Sequence, residues 1–198
     1  TLVHDPVHVT VTPEQPTVAK IAQKVFFVDR QHKDALLVQL LKDSGMDRVL
    51  VFAQMKHIAN RVCERLQTAG ISASAIHGNK SQGARTTALA SFKTGDVRVL
   101  VATDIAARGL DVDGITHVIN YHLPMEAETY IPRIGRTARA GAEGDAISFC
   151  CADEREALRD IERLLRKPIP VETQHAFHSE AARNAVGAAA RPLPRGGG

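Results

Sequence analysis

The sequence is poor in most of the features that would declare a class at once. It carries three cysteines, Cys63 alone and Cys150 beside Cys151, so no disulfide framework can be drawn. That usage predicts reduced structural thiols and a cytoplasmic protein. No apolar run approaches the roughly 18 residues of a membrane span, and Thr1-Leu2-Val3-His4-Asp5 lacks a signal peptide's basic and apolar regions. Charge of one sign is not in excess. Lys plus Arg number 25 and Asp plus Glu 22, and a net charge of +3 excludes a histone-like polycation. It does not exclude nucleic acid, because a basic stripe can lie inside a near-neutral total. There is no internal repeat and no G-x-G-x-x-G, which argues against a dinucleotide-binding metabolic enzyme.

What is present is an ordinary globular composition, 44% hydrophobic and 24% charged, in 198 residues. A chain of that length buries roughly 70% of its unfolded surface without a staple. It has room for one α/β domain plus about fifty residues of arms. Short apolar runs alternate with helix-period stretches. Val25-Phe26-Phe27-Val28 and Val49-Leu50-Val51-Phe52-Ala53 read as strands, the second buried on both faces. Further strands are predicted over 71–76, 97–102, 115–121 and 146–151. Helices are predicted over 33–42, over 58–69 with Gly70 as its stop, and from the Ser81 cap to Lys93 with Gly95 ending it. A last helix over 153–167 would bury Leu158, Ile161, Leu164 and Leu165 under a solvated face of five acids and five bases. Strand–helix alternation with short connections predicts a parallel sheet flanked by helices. Residues 1–20 contain an alternating strand at 7–12 and then Pro13 and Pro16. Residues 172–198 show no hydrophobic period and read as a disordered tail.

In such a sheet the loops at the carboxyl ends of strands bind ligands. Gly78-Asn79-Lys80-Ser81-Gln82-Gly83 has the glycine spacing of a phosphate loop, but Ala84-Arg85 replaces the Lys-Ser/Thr that a working loop needs. Asp153-Glu154 after an apolar run resembles an Mg²⁺-holding pair; the plainer reading is that Asp153 caps the last helix. Arg133-Ile134-Gly135-Arg136-Thr137-Ala138-Arg139 is more informative. Three guanidiniums at three-residue steps suit bidentate phosphate contacts and neutralisation of a leaving γ-phosphoryl. Thr103 puts a hydroxyl at a strand end before a short helix, Gly109 allows close approach, and Asp111 can accept from a ribose hydroxyl. Gln82 and Arg85 lie one turn apart on one helix face, a second backbone-phosphate grip.

The ordered set of Val49-Leu50-Val51-Phe52, His77-Gly78, Gln82-x-x-Arg85, Ala102-Thr103-Asp104-Ile105-Ala106-Ala107-Arg108-Gly109-Leu110-Asp111, His117-Val118-Ile119-Asn120-Tyr121 and Arg133-Ile134-Gly135-Arg136-Thr137 resembles the second RecA-like domain of DEAD-box RNA helicases. The run at 77–85 resembles the RhlE-type bacterial branch. The resemblance spans about 21–171 and implies the roles that follow. Arg136 and Arg139 would be catalytic arginine fingers on the γ-phosphate, with Gly109 and Asp111 holding the nucleotide. Gln54, His77, Gly78, Gln82, Arg85, Thr103 and Asp104 would line an RNA-backbone groove. Arg108 and Arg133 would join the two domains.

ATP with Mg²⁺ would be the cofactor, its metal ligands lying on a preceding RecA-like domain that is a partner of this one. RNA would be gripped without base readout, by a monomer. The stretch 1–20 would be the end of that domain and a linker, so this chain alone is expected to be inactive. Four positions depart from the family pattern: Pro132 for His, Ala138 for Gly, Met55 for Thr and His122 for Asp. Pro132 is expected to remove a helical donor, at up to about 3 kcal/mol in a regular turn. The alternative is a stand-alone RNA-binding module using Arg183, Arg191 and Arg195.

Overall fold

A computed structural model describes residues 18–43 and 45–194. The strand read at 7–12 lies outside them. Six strands form one sheet: β1 (Ile21–Phe27), β2 (Val49–Phe52), β3 (Ala73–Ile76), β4 (Val99–Ala102), β5 (His117–Asn120) and β6 (Gly144–Cys150). Every pairing is parallel, in the order β1-β6-β5-β2-β4-β3. The expected RecA-like parallel sheet flanked by helices is what forms.

The alternation of side chains sorts the core into layers. Val49 and Val51 of β2 join Phe26, Val99, Val101 and Ile119 under α1 (Lys33–Asp43) and α2 (Lys56–Thr68). Leu50 and Phe52 face the other way, against Phe92 of α3 (Gln82–Thr94) and Ala106 and Ala107 of α4 (Asp104–Ala107). Farther along that face, Tyr130 and Ile134 of α5 (Tyr130–Ile134) and Leu158 and Ile161 of α6 (Arg155–Leu165) cover Val25, Phe27 and Ala146. Helix signals read from the sequence hold here. The Ser81 hydroxyl accepts from the Ala84 amide at 3.1 Å, and Gly70 and Gly95 both take positive φ.

The reading of 172–198 as disordered fails over 172–194. Val171 and Glu172 run beside β1, where Val25 donates to the Pro170 carbonyl and accepts from the Glu172 amide, each at 2.9 Å. The Ser179 amide then donates to Phe27, and the Ser179 hydroxyl to Asp29 at 2.7 Å. Helix α7 (Glu180–Asn184) follows, with Ala182 buried. Its last turn is tied down by guanidiniums of α6, as Arg155 donates to the Arg183 carbonyl and Arg159 to the Ala185 carbonyl, both at 2.8 Å. The stretch needs no hydrophobic period because backbone pairing and borrowed arginines hold it.

The helix read at 153–167 also needs correction. It starts as a 3-10 turn over Ala152–Glu154, and Leu164 is exposed at 45%. Asp153 does not cap it; its carboxylate faces Arg30. Glu154 accepts the Cys151 amide instead, accepts the Leu123 amide at 2.7 Å, and forms a buried ion pair with Lys33.

Candidate nucleotide and nucleic-acid site

β2 lies between β4 and β5, and the chain leaves β2 into α2 on one face of the sheet but leaves β4 into α4 on the other. The carboxyl ends of these three strands therefore open a crevice. A cleft of about 450 Å³ occupies it, lined by Phe52, Gln54, Asp104, Arg108, Pro132 and Arg136 among others. Its rim at Met125, Glu126 and Glu128 went unread in the sequence, where the turn after β5 carries no motif.

Arg136 and Arg139 stand together on the turn after α5. Arg136 donates to the Leu110 carbonyl at 2.9 Å, and Arg139 lies 3.9 Å from the exposed Asp111 carboxylate. Burial and the neighbouring Arg139 both lower the Arg136 pKa, so two cations are crowded beside the 109–111 loop. The turn is anchored by Thr137, fully buried, whose hydroxyl donates to the Ile115 carbonyl. A Cβ on Gly144 would lie 2.3 Å from the Thr137 hydroxyl oxygen, which is why glycine opens β6 there. Ala138, where the family pattern has glycine, sits at φ 58°, and Ala140 at φ 57°. For an L-residue that conformation costs about 1–2 kcal/mol. Gly109 takes φ +73°, a conformation glycine adopts freely.

Arg133, expected to join two domains, is engaged inside this one. It is 3% exposed and grips Asp104 with two bonds of 2.6 Å. It also donates to Asn120 at 3.2 Å and to the His122 carbonyl at 2.7 Å, and its guanidinium stacks 5.1 Å from the centre of the Phe52 ring. The buried brace thus ties together the ends of β2, β4 and β5. Arg108 remains exposed in the cleft.

The residues expected to grip RNA fall on neighbouring loops, in the strand order β2-β4-β3. Gln54 and Gly78 are exposed, as is Gln82 at the start of α3. Arg85 donates to the Ala106 carbonyl at 2.9 Å and so pins α3 to α4. Thr103 precedes α4 with its hydroxyl making no cap bond, and the Asp104 carboxylate is held by Arg133. His77 is buried: the Asn79 amide donates to Nδ1, so the ring proton lies on Nε2 and goes to Asn60 at 2.9 Å. Burial lowers its pKa first, then Lys80 and Lys56. Those two lysines, exposed on either side of His77, add positive charge that the motif reading passed over.

Pro132 costs less than expected. It is the third residue of α5, in the first turn, where backbone amides lack partners within the helix, and the Gly135 amide still reaches Ile131 at 2.9 Å. Among the described residues, Cys151, Asp153 and Glu154 bring metal-type donors within 4.8 Å of one another. That set does not suit Mg²⁺, which takes oxygen ligands: one donor is a thiol, and the carboxylates face Arg30 and Lys33.

Residues 32–141 match the model of the helicase conserved C-terminal domain. The chain belongs to that family. It is 42% identical over 169 residues to the ATP-dependent RNA helicase RhlB of Xanthomonas axonopodis pv. citri, covering 85% of this chain and 30% of that one. With RhlB of Vibrio parahaemolyticus it shares 43% over 168 residues, again 85% of this chain and 38% of the other. It therefore spans about a third of the length of the curated relatives it matches. These relatives carry the RhlB name, where the 77–85 run suggested RhlE. Among solved structures, E. coli DEAD-box protein SrmB bound to RraA superposes with a TM-score of 0.74 at 38% identity, over 81% of this chain and 98% of that one. A DEAD box protein from Methanococcus jannaschii gives 0.72 at 40%, over 78% and 42%.

Proposed function

We propose that this domain is the C-terminal half of an ATP-dependent DEAD-box RNA helicase, forming one wall of a composite ATP site and half of an RNA groove. The observation that carries the reading is the crowding of Arg136 and Arg139 beside the 109–111 loop. Two adjacent guanidiniums repel each other until an anion lies between them, and a transferring phosphoryl group is such an anion. ATP would supply the bond broken. Arg136 and Arg139 neutralise its γ-phosphate, and Asp111 accepts from its sugar. Mg²⁺ ligands would come from the other domain.

On the same edge Gln54, Gly78, Gln82 and Thr103 offer neutral polar groups to a sugar–phosphate chain, with Lys56 and Lys80 beside them. Backbone contacts of this kind bind all sequences alike and weaken with salt. Closure of the two domains over one strand would strain a short duplex and open it locally. The RhlE-type assignment rests on the 77–85 run alone. Cytoplasmic residence rests on three buried, unpaired cysteines, and the monomeric state on family resemblance. A stand-alone RNA-binding module finds less support, because Arg191 pairs with Glu156 and Arg183 lies 3.9 Å from Glu180.

The test is Arg136→Ala in the full-length protein. RNA-stimulated ATP hydrolysis should fall at least about 10³-fold, as loss of an arginine finger does, while RNA binding persists. ATPase activity retained within tenfold would refute the composite site.

A further inference from the structure

The loop 53–55 between β2 and α2 carries Gln54, and little within the loop itself fixes its shape. Met55 precedes α2 without a side-chain cap. What holds the loop is the ends of the strands on both sides: the Ala53 amide donates to the Ala102 carbonyl of β4 at 2.9 Å. The Gln54 amide donates to Nδ1 of His122 at 3.0 Å.

The support behind His122 is unusually firm. Three successive residues after β5 have a backbone group held by a buried charged side chain. Lys33 donates to the Tyr121 carbonyl at 2.8 Å, Arg133 to the His122 carbonyl at 2.7 Å, and Glu154 accepts the Leu123 amide at 2.7 Å. The amides of Tyr121 and His122 both point to the Phe52 carbonyl, so the backbone that precedes Gln54 is gripped as well. The His122 ring packs edge-on against Tyr121 with centroids 4.9 Å apart. The imidazole is thus a short strut between a fixed platform and the loop.

Such a strut works only if Nδ1 carries a lone pair. Burial, then Lys33, Arg133, Arg30 and Arg61, push the His122 pKa down to about 3. The ring is neutral at any ordinary working pH, with its proton on Nε2 and Nδ1 free to accept.

We infer that His122 is a positioning residue that sets the Gln54 loop for RNA through the bond between its Nδ1 and the Gln54 amide. The inference rests on the RNA-groove reading of that loop. It assigns His122 work that is done through the Gln54 amide. Any side chain with an acceptor at the same reach should do the same, whatever its ring character.

Three variants of the full-length protein separate this from simple packing. His122→Asn keeps an acceptor near the place of Nδ1 but loses the ring. His122→Phe keeps a ring against Tyr121 but has no acceptor, and His122→Ala has neither. If the strut matters, Phe and Ala raise the RNA concentration for half-maximal ATPase by about five- to tenfold, the worth of roughly one hydrogen bond. The maximal rate at saturating RNA stays within about twofold, and Asn behaves as the parent. Hydrogen exchange should show the Gln54 amide opening faster in Phe and Ala and unchanged in Asn.

A parent-like Phe with a defective Asn would mean that the ring's packing matters, and the inference falls. Faster Gln54 exchange with an unaltered RNA dependence would also overturn it, since the loop's position would then be irrelevant to RNA. A parent protein whose ATPase ignores RNA would instead overturn the helicase reading, and the exchange measurement would still decide whether the bond exists.

Discussion

Replacing Arg133 by methionine separates a brace within the domain from a contact between domains. Methionine keeps much of the apolar stem and removes the charge with its four hydrogen bonds to Asp104, Asn120 and the His122 carbonyl. The Asp104 side chain is 36% exposed and can rehydrate, so its share of the loss is small. The Asn120 side chain is fully buried; its amide keeps Ser148, but its oxygen loses Arg133. Each acceptor stranded out of water costs about 1–3 kcal/mol, and loss of the stack on Phe52 adds about 1–2 kcal/mol. The stranded Asn120 oxygen and His122 carbonyl together with the lost stack put the total at about 3–5 kcal/mol.

With a urea slope of roughly 2–3 kcal/mol per molar, the midpoint should fall by roughly 1–2 M at unchanged slope. Arg108→Met, at an exposed position, should stay within about 0.5 kcal/mol. A loss under about 1 kcal/mol for Arg133→Met would refute the brace and return Arg133 to the interdomain role read from the sequence.

Other perturbations follow from the same contacts. His77, His117, His122 and His175 all have pKa values lowered, each chiefly by burial. The unfolded chain therefore binds more protons below about pH 6.5, and stability is lost as pH falls from there toward the folded values. For His122 alone the slope is on the order of 1.4 kcal/mol per pH unit in that window. The urea midpoint should drop between pH 7 and 5, less so in His122→Asn; a flat profile would contradict the burial argument. Lys33→Met should cost about 3–5 kcal/mol by stranding Glu154. Adding Glu154→Gln should recover part of it, because the stranded charge is gone and the amide oxygen can still accept from Leu123; no recovery in denaturation would count against the pair. Arg166 ends α6 at φ 57°. Arg166→Gly should raise stability by about 0.5–1 kcal/mol and Arg166→Ala should not, as thermal melting would show.

The layers and the site's location were legible because they rest on local signals. Val49-Leu50-Val51-Phe52 is apolar at every position because both faces are covered, and Ser81, Gly70 and Gly95 mark helix ends by their own chemistry. What escaped depends on partners distant in the chain. Nothing near Lys33 announces Glu154, 121 positions away. Arg133 looks like its neighbours Arg136 and Arg139 in the sequence, yet the sheet end buries the first and leaves the other two beside an open loop. His122 read as a departure from a family pattern, when its meaning lay in the amide it faces. The stretch at 172–194 lacked a hydrophobic period because what orders it is another strand's backbone.

That last arrangement has a practical side. β1 is a border strand of the sheet, and residues 170–179 take up the hydrogen-bonding groups of Val25 and Phe27 on its outer side. A domain cut at Val171, where the sequence resemblance ends, would keep its sheet and its cleft. It would also bare a seven-residue apolar-rich border open to strand addition. Such a protein should aggregate more readily as its concentration rises, beyond whatever stability it loses with the deleted contacts.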